Sequence, residues 1–118
     1  MIDNPQQVER LVPKLRETLP LVAALTPPLE AVVREQSPEI DPPKRCPVTR
    51  IDYAGDAGGI MCQLAFGNGE SEHVFFVSIT HLTFDRRQPF AREIAAYQKH
   101  RVKRMRRLSS LDLDSDIW

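Results

Sequence analysis

At 118 residues, with 42% hydrophobic and 27% charged side chains, the chain has the composition of one ordinary globular domain. A chain of this length buries about two thirds of its surface on folding, so it needs neither disulfide nor metal to hold it. The formal net charge is zero, which excludes a uniformly basic or acidic protein.

The charge is nonetheless unevenly placed. Residues 1–43 carry 4 basic and 7 acidic groups, and residues 44–84 carry 3 and 4. Residues 85–111 carry 9 basic and 2 acidic groups, a net +7, and residues 112–118 carry three aspartates and no base. A basic block is therefore followed by an acidic tail. No apolar run approaches the ~20 residues of a membrane span. The opening MIDNPQQVERL has neither the basic region nor the apolar core of a signal peptide. These features predict a cytoplasmic protein with reduced thiols at Cys46 and Cys62.

Residues 1–36 read as a helical segment. Asn4 suits an N-cap, Pro5 the first helical position and Gln7 a capping box. Val8, Leu11, Val12, Leu15 and Leu19 follow at helical spacing, but Pro13 interrupts them and predicts a kink or two short helices. Thr26 before Pro27-Pro28 opens another short helix with Leu29, Val32 and Val33 on its apolar side, ending near Ser37. Residues 37–47, SPEIDPPKRCP, hold four prolines and four charges and read as a connector inside a single domain.

Three strands are expected next, over 48–54, 59–66 and 72–82, forming an antiparallel meander. A loop from Gly55 to Gly58 places Tyr53 opposite Ile60 and Ile51 opposite Cys62. A two-residue Asn68-Gly69 turn places Leu64 opposite His73 and Cys62 opposite Phe75. One face then carries Ile60, Cys62, Leu64, Phe66, Phe75, Val77, Ile79 and His81. The other is mixed and includes Met61, Val74 and Phe76.

Residues 88–108 predict an amphipathic helix packed on the sheet. Phe90, Ile94, Tyr97, Met105 and Leu108 form its apolar stripe, with Arg101 in the middle, pairing with Asp52 or a partner subunit. Arg92, Lys99, Lys103, Arg106 and Arg107 lie on the opposite side, flanked by His100 and Arg104. Residues 109–118 alternate leucine and aspartate, which suggests an extended peptide: a tail folded back on the arginine-rich end through Asp112, Asp114 and Asp116, a docking segment with Leu113, Ile117 and Trp118 as anchors, or, more simply than either, a disordered terminus. The fold class is thus α+β: an N-terminal helical segment, a three-stranded meander and a C-terminal basic helix.

The basic face is the clearest functional signal. Arg92, Lys99, Lys103, Arg104, Arg106 and Arg107 could follow a polyanion, either nucleic acid or an acidic protein, by counterion release. The bland alternative is a solvated helix face. No helix-turn-helix spacing, zinc-finger pair or RNA-binding aromatic motif accompanies it. The open sheet edges and mixed face suggest a homodimer or a protein-docking module. Asp56 on the first hairpin and His81 at the third strand's end are neighbours in a meander and form a candidate acid/base pair; a turn aspartate and a strand-end histidine are the commoner reading, so the chain reads as a binding protein before an enzyme. No cofactor motif occurs. His73 and His81 stand some 26 Å apart along one strand, and Cys46 and Cys62 lie in no CxxC pair, so no metal site is expected.

Overall fold

The computed structural model describes residues 3–39, 41–66 and 73–116, with the backbone alone described at 66, 73 and 108–116. Among the described residues, three helices and five strands follow in the order α1 (Pro5–Glu17), β1 (Leu21–Leu25), α2 (Pro27–Gln36), β2 (Cys46–Tyr53), β3 (Ile60–Phe66), β4 (His73–Ser78), β5 (Leu82–Thr83) and α3 (Ala91–Asp116). The α+β class holds, but the sheet has five strands in the order β4-β3-β2-β1-β5, not three.

α1 is one helix, with Pro13 inside it, rather than two. Asn4 caps it, its side chain accepting from the Gln6 and Gln7 amides. Val8, Leu11, Val12 and Leu15 are all buried. At about 1.5–3 kcal/mol each, their burial outweighs the roughly 3 kcal/mol that an interior proline costs.

The strand missing from the sequence reading is β1. LVAAL lies within the segment expected to be helical, yet Leu21 and Ala23 are buried while Val22 is exposed, the period of a strand. Pro20 and Pro27 bracket it too closely for a stable helix, and an extended stretch of five needs no helical nucleus. β1 pairs antiparallel with β2, Leu21 opposite Val48 and Ala23 opposite Cys46. α2 then follows Thr26 as expected, burying Leu29 and Val33, whereas Val32, expected on the same apolar side, is exposed.

The first hairpin keeps the predicted register: Tyr53 faces Ile60 and Ile51 faces Cys62. Its tip, Gly55–Ala57, forms a 3-10 turn. A bulge between Val48 and Arg50 was not foreseen. It lets Val48 and Ile51, three residues apart, both reach the core, which an unbroken strand forbids.

The second hairpin departs from expectation. Leu64 faces Phe75 and Cys62 faces Val77, two residues out of the predicted register. An even shift preserves the faces, so Ile60, Cys62, Leu64, Phe75, Val77 and Ile79 still turn inward, whereas His81, expected on the same face, is exposed because the strand breaks before it. The Asn68-Gly69 turn lies outside the described residues.

The expected strand over 72–82 is broken. β4 stops at Ser78, whose side chain accepts from the Thr80 amide and starts a 3-10 turn over Ile79–His81. The chain then pairs on the far side of the sheet, Leu82 with Leu25 and Thr83 with Ala24. Ser78 and Leu82 are four residues apart, at most about 14 Å, yet they belong to opposite edges of the sheet. The sheet is therefore curled until its two edges stand one short turn apart.

The inside of the curl is the core. Leu21, Ala23, Cys46, Val48, Ile51, Ile60, Cys62, Leu64, Ile79 and Leu82 meet the buried faces of α1, α2 and α3 in one cluster. Both cysteines are buried and free. Burial pushes the Cys62 thiol up to about 12 and raises that of Cys46. α3 begins at Ala91, after Phe90 at φ +61°, and runs on to Asp116. Residues 109–116 are thus helical, not the extended tail that leucine–aspartate alternation suggests. The radius of gyration is 15.5 Å, against about 13.5 Å for a compact chain of this length, and the longest axis is 52 Å.

Candidate polyanion-binding face and adjoining cleft

α3 presents two sides with different chemistry. Ile94, Tyr97 and Arg101 are buried at helical spacing. Met105, expected in the same stripe, is 43% exposed, so the packed face covers only the first turns.

Arg101 is the unusual member, a charged side chain only 2% exposed. Its partner is neither Asp52 nor another subunit. Asp52 pairs with Arg50 and Arg16 at the surface, whereas Arg101 Nη1 reaches Asp3 Oδ1 at 3.0 Å, with the Asp3 side chain fully buried. Asp3 Oδ2 accepts from Tyr97 Oη at 2.7 Å and from Tyr53 Oη at 3.1 Å. Tyr97 Oη in turn accepts the Ile60 amide at 2.9 Å. Arg101 Nη2 donates to the Asp56 carbonyl at 2.9 Å. Burial, with the Asp3 contact second, pushes the Tyr97 phenol well above its usual range, and burial likewise raises Tyr53.

This network joins three distant pieces of chain: the N-terminus, the first hairpin and α3. It requires Gly59, at φ +68°, because a Cβ there would collide with Tyr97 Oη and the Arg101 side chain. Asp3 and Gly59 have no signal of their own in the sequence, and Tyr53 and Tyr97 read there only as a strand position and a member of the apolar stripe. The signal available was Arg101 itself, a cation in an apolar stripe that demands a buried acceptor; nothing in the sequence says which.

With Arg101 locked inward, the opposite side of α3 faces out. Arg92, Lys99, Lys103, Arg104, Arg106 and Arg107 are all exposed. Arg92, Lys99, Lys103, Arg106 and Arg107 fall within an arc of about 100° over roughly 22 Å of helix. None of these five has an ion-pair partner among the described residues, whereas Arg16, Arg34, Arg50 and Arg101 all do. Lys99, Lys103 and Arg107 follow one another at i,i+4, a spacing at which like charges destabilise a helix by about 0.2–0.5 kcal/mol per pair. Of the docking anchors, Leu113 lies on the helical backbone, and Ile117 and Trp118 lie outside the described residues.

Beside this stripe lies a cleft of about 920 Å³ between the hairpin tip, the 3-10 turn after β4 and α3. Ala57, Gly58, Ser78, Thr80, His81, Val102, Met105 and Arg106 line it, with Thr26 and Pro28 at the α2 end. Ala57 and Gly58 of the hairpin tip thus share a cleft with His81, which lies in the 3-10 turn rather than on the continuous strand expected to carry it. The His81 side chain is exposed at the cleft, while the exposed Asp56 turns its backbone carbonyl to Arg101. A smaller groove of about 420 Å³ runs between α1 and α3, lined by Arg10, Lys14, Glu93 and His100 among others.

No protein-family model, no curated protein and no solved structure matches this chain. Among the described residues, no helix is long and apolar enough to cross a membrane.

Proposed function

We propose that this chain is a non-catalytic binding or adaptor protein that engages a polyanion, nucleic acid or acidic protein, through the exposed basic side of α3. One observation carries the reading. Five cations share one side of a helix, and none is neutralised by a described acid. A face that is only solvated gains from interspersed acids; a face that binds phosphates or carboxylates gains from their absence.

The test is fluorescence anisotropy of labelled mixed-sequence DNA and RNA at two salt concentrations, alongside a variant with Lys103, Arg106 and Arg107 changed to Ala. Binding should weaken steeply with salt, and the slope of log K against log salt should fall by roughly one per cation removed. The variant should bind roughly tenfold or more weakly at low salt, since three phosphate contacts are lost. Absence of binding to nucleic acid and to an acidic polypeptide at low salt overturns the proposal.

A second reading, a protein-docking module or homodimer acting through the sheet, is supported by β4. It is an edge strand, and its outward residues Val74 and Phe76 are 49% and 57% exposed. Light scattering at high micromolar concentration tests it, and a monomeric mass counts against it.

A further inference from the structure

We infer that the cleft beside α3 is a base-binding site, and that the polyanion this protein takes is single-stranded nucleic acid with a base turned into the cleft. The inference rests on the polyanion reading of α3 and narrows it to one class of ligand.

The charge distribution makes the argument. Arg106 belongs to both features: it lies at the border of the basic stripe and it lines the cleft. The other cation among the lining residues, Arg101, has its two terminal nitrogens committed to Asp3 and to the Asp56 carbonyl. Inside the cleft the polar groups are otherwise neutral side chains or an imidazole. Thr80 and Ser78 share a hydroxyl–hydroxyl hydrogen bond of 2.9 Å, and His81 stands exposed next to them. Apolar contact comes from Val102, Pro28 and the half-exposed Met105. The cations outside would follow phosphates. The cleft offers an apolar wall and hydroxyl and imidazole partners, the needs of a flat, uncharged, hydrogen-bonding group.

A nucleobase is such a group. Methionine adapts to irregular partners and packs well against ring edges, and imidazole provides a stacking plane. The cleft volume of about 920 Å³ lies at the upper end of the roughly 300–1,000 Å³ typical of small-molecule sites, so a nucleoside fits. A duplex keeps its bases stacked and offers none to a side pocket; a single strand can splay one out. An acidic peptide has carboxylates to place, and among the described lining residues Arg106 is the one arginine whose terminal nitrogens are not committed as those of Arg101 are.

The experiment compares four labelled probes of matched charge: a single-stranded mixed-sequence 12-mer, the same strand with abasic residues, a duplex, and a polyglutamate peptide. It uses the full chain and the variant His81→Gln/Met105→Ser, whose two sites are exposed and lie outside the cation set. Near-identical thermal melting of the two proteins confirms the fold. The single strand should bind the wild type at least fivefold tighter than the abasic strand or the duplex, the scale of one stacked base. The variant should lose that margin and keep its affinity for the abasic strand. Equal affinity for all four probes, or a variant indistinguishable from wild type on the single strand, overturns the base site while leaving the polyanion face standing. Tighter binding of polyglutamate assigns the face to an acidic protein and also overturns it. No binding to any probe at low salt overturns both.

Discussion

The Asp3–Arg101 pair shows how one residue can govern the use of a whole helix. Two charges taken out of water carry a large desolvation cost, which close geometry and further hydrogen bonds must offset. Here Asp3 receives the guanidinium and two phenols, and Arg101 also reaches the Asp56 carbonyl. Asp3→Ala leaves the buried guanidinium without its counter-charge and should destabilise the fold by about 3–5 kcal/mol, the usual cost of breaking a buried pair. Arg101→Met combined with Asp3→Leu should recover much of that loss. Urea unfolding of the single and double variants checks it, and a double variant no better than Asp3→Ala alone would refute the account. The Cys62 thiol makes a second prediction at this scale. Its folded value is raised to about 12 by burial, above the ordinary 8.5 or so of the unfolded chain. The folded state therefore holds a proton that the unfolded state releases. Stability should be unaffected below about pH 8.5 and should fall as pH rises toward 12, by up to about 1.4 kcal/mol per pH unit. Cys62→Ala should flatten that slope in alkaline melts. Cys46, raised by the same burial, adds to the slope, and Tyr97, raised in the same sense, adds to it above about pH 10, its ordinary value in the unfolded chain.

Among the elements, the first hairpin and α3 are built against each other. The hairpin carries two glycines at positive φ with different surroundings. Gly55, at φ +64°, has open space where a Cβ would go, whereas Gly59 has Tyr97 and Arg101 there. Gly55→Ala should cost only the backbone strain of a left-handed residue, about 1–2 kcal/mol. Gly59→Ala adds a collision with the buried network and should cost clearly more. Thermal melts of the two variants decide this, and equal costs would mean that the hairpin simply moves aside. The strands tell a related story about legibility. The register of β2 on β3 was readable because burial penalises an aspartate opposite Cys62. The register of β3 on β4 differs by two residues from the one a two-residue Asn68-Gly69 turn implies, because six residues rather than two separate the paired Phe66 and His73. β1 was hidden inside a proline-bracketed segment whose residues also suit a helix. In α3, the basic side was readable from spacing alone, but the extension to Asp116 was not, since alternating leucine and aspartate also satisfies a strand.

For the molecule as a whole, the curled sheet brings the α3 stripe and the cleft together on one part of the surface, with Ser78 at the end of β4 lining the cleft, and leaves β4 as an edge strand. If that edge pairs with a second copy, Phe76 lies in the contact. Phe76→Lys should then convert a dimer to a monomer in light scattering, because a charge on an edge strand blocks strand addition; a wild-type monomer at high micromolar concentration would remove the interface altogether. The sequence by itself determined the α+β class, the buried faces of α1 and the first hairpin, and the one-sided charge of α3. Those follow from local periodicity, which repeats within a few residues. Only the tertiary structure decided that β4 and β5 sit at opposite edges of a sheet curled to within one turn of closing, and that Asp3 is the partner of Arg101, 98 residues away. It also decided that the hairpin tip, His81 and Met105 line one cleft. These depend on which surfaces meet when the chain closes, and that is set by the sum of many contacts rather than by any stretch of sequence.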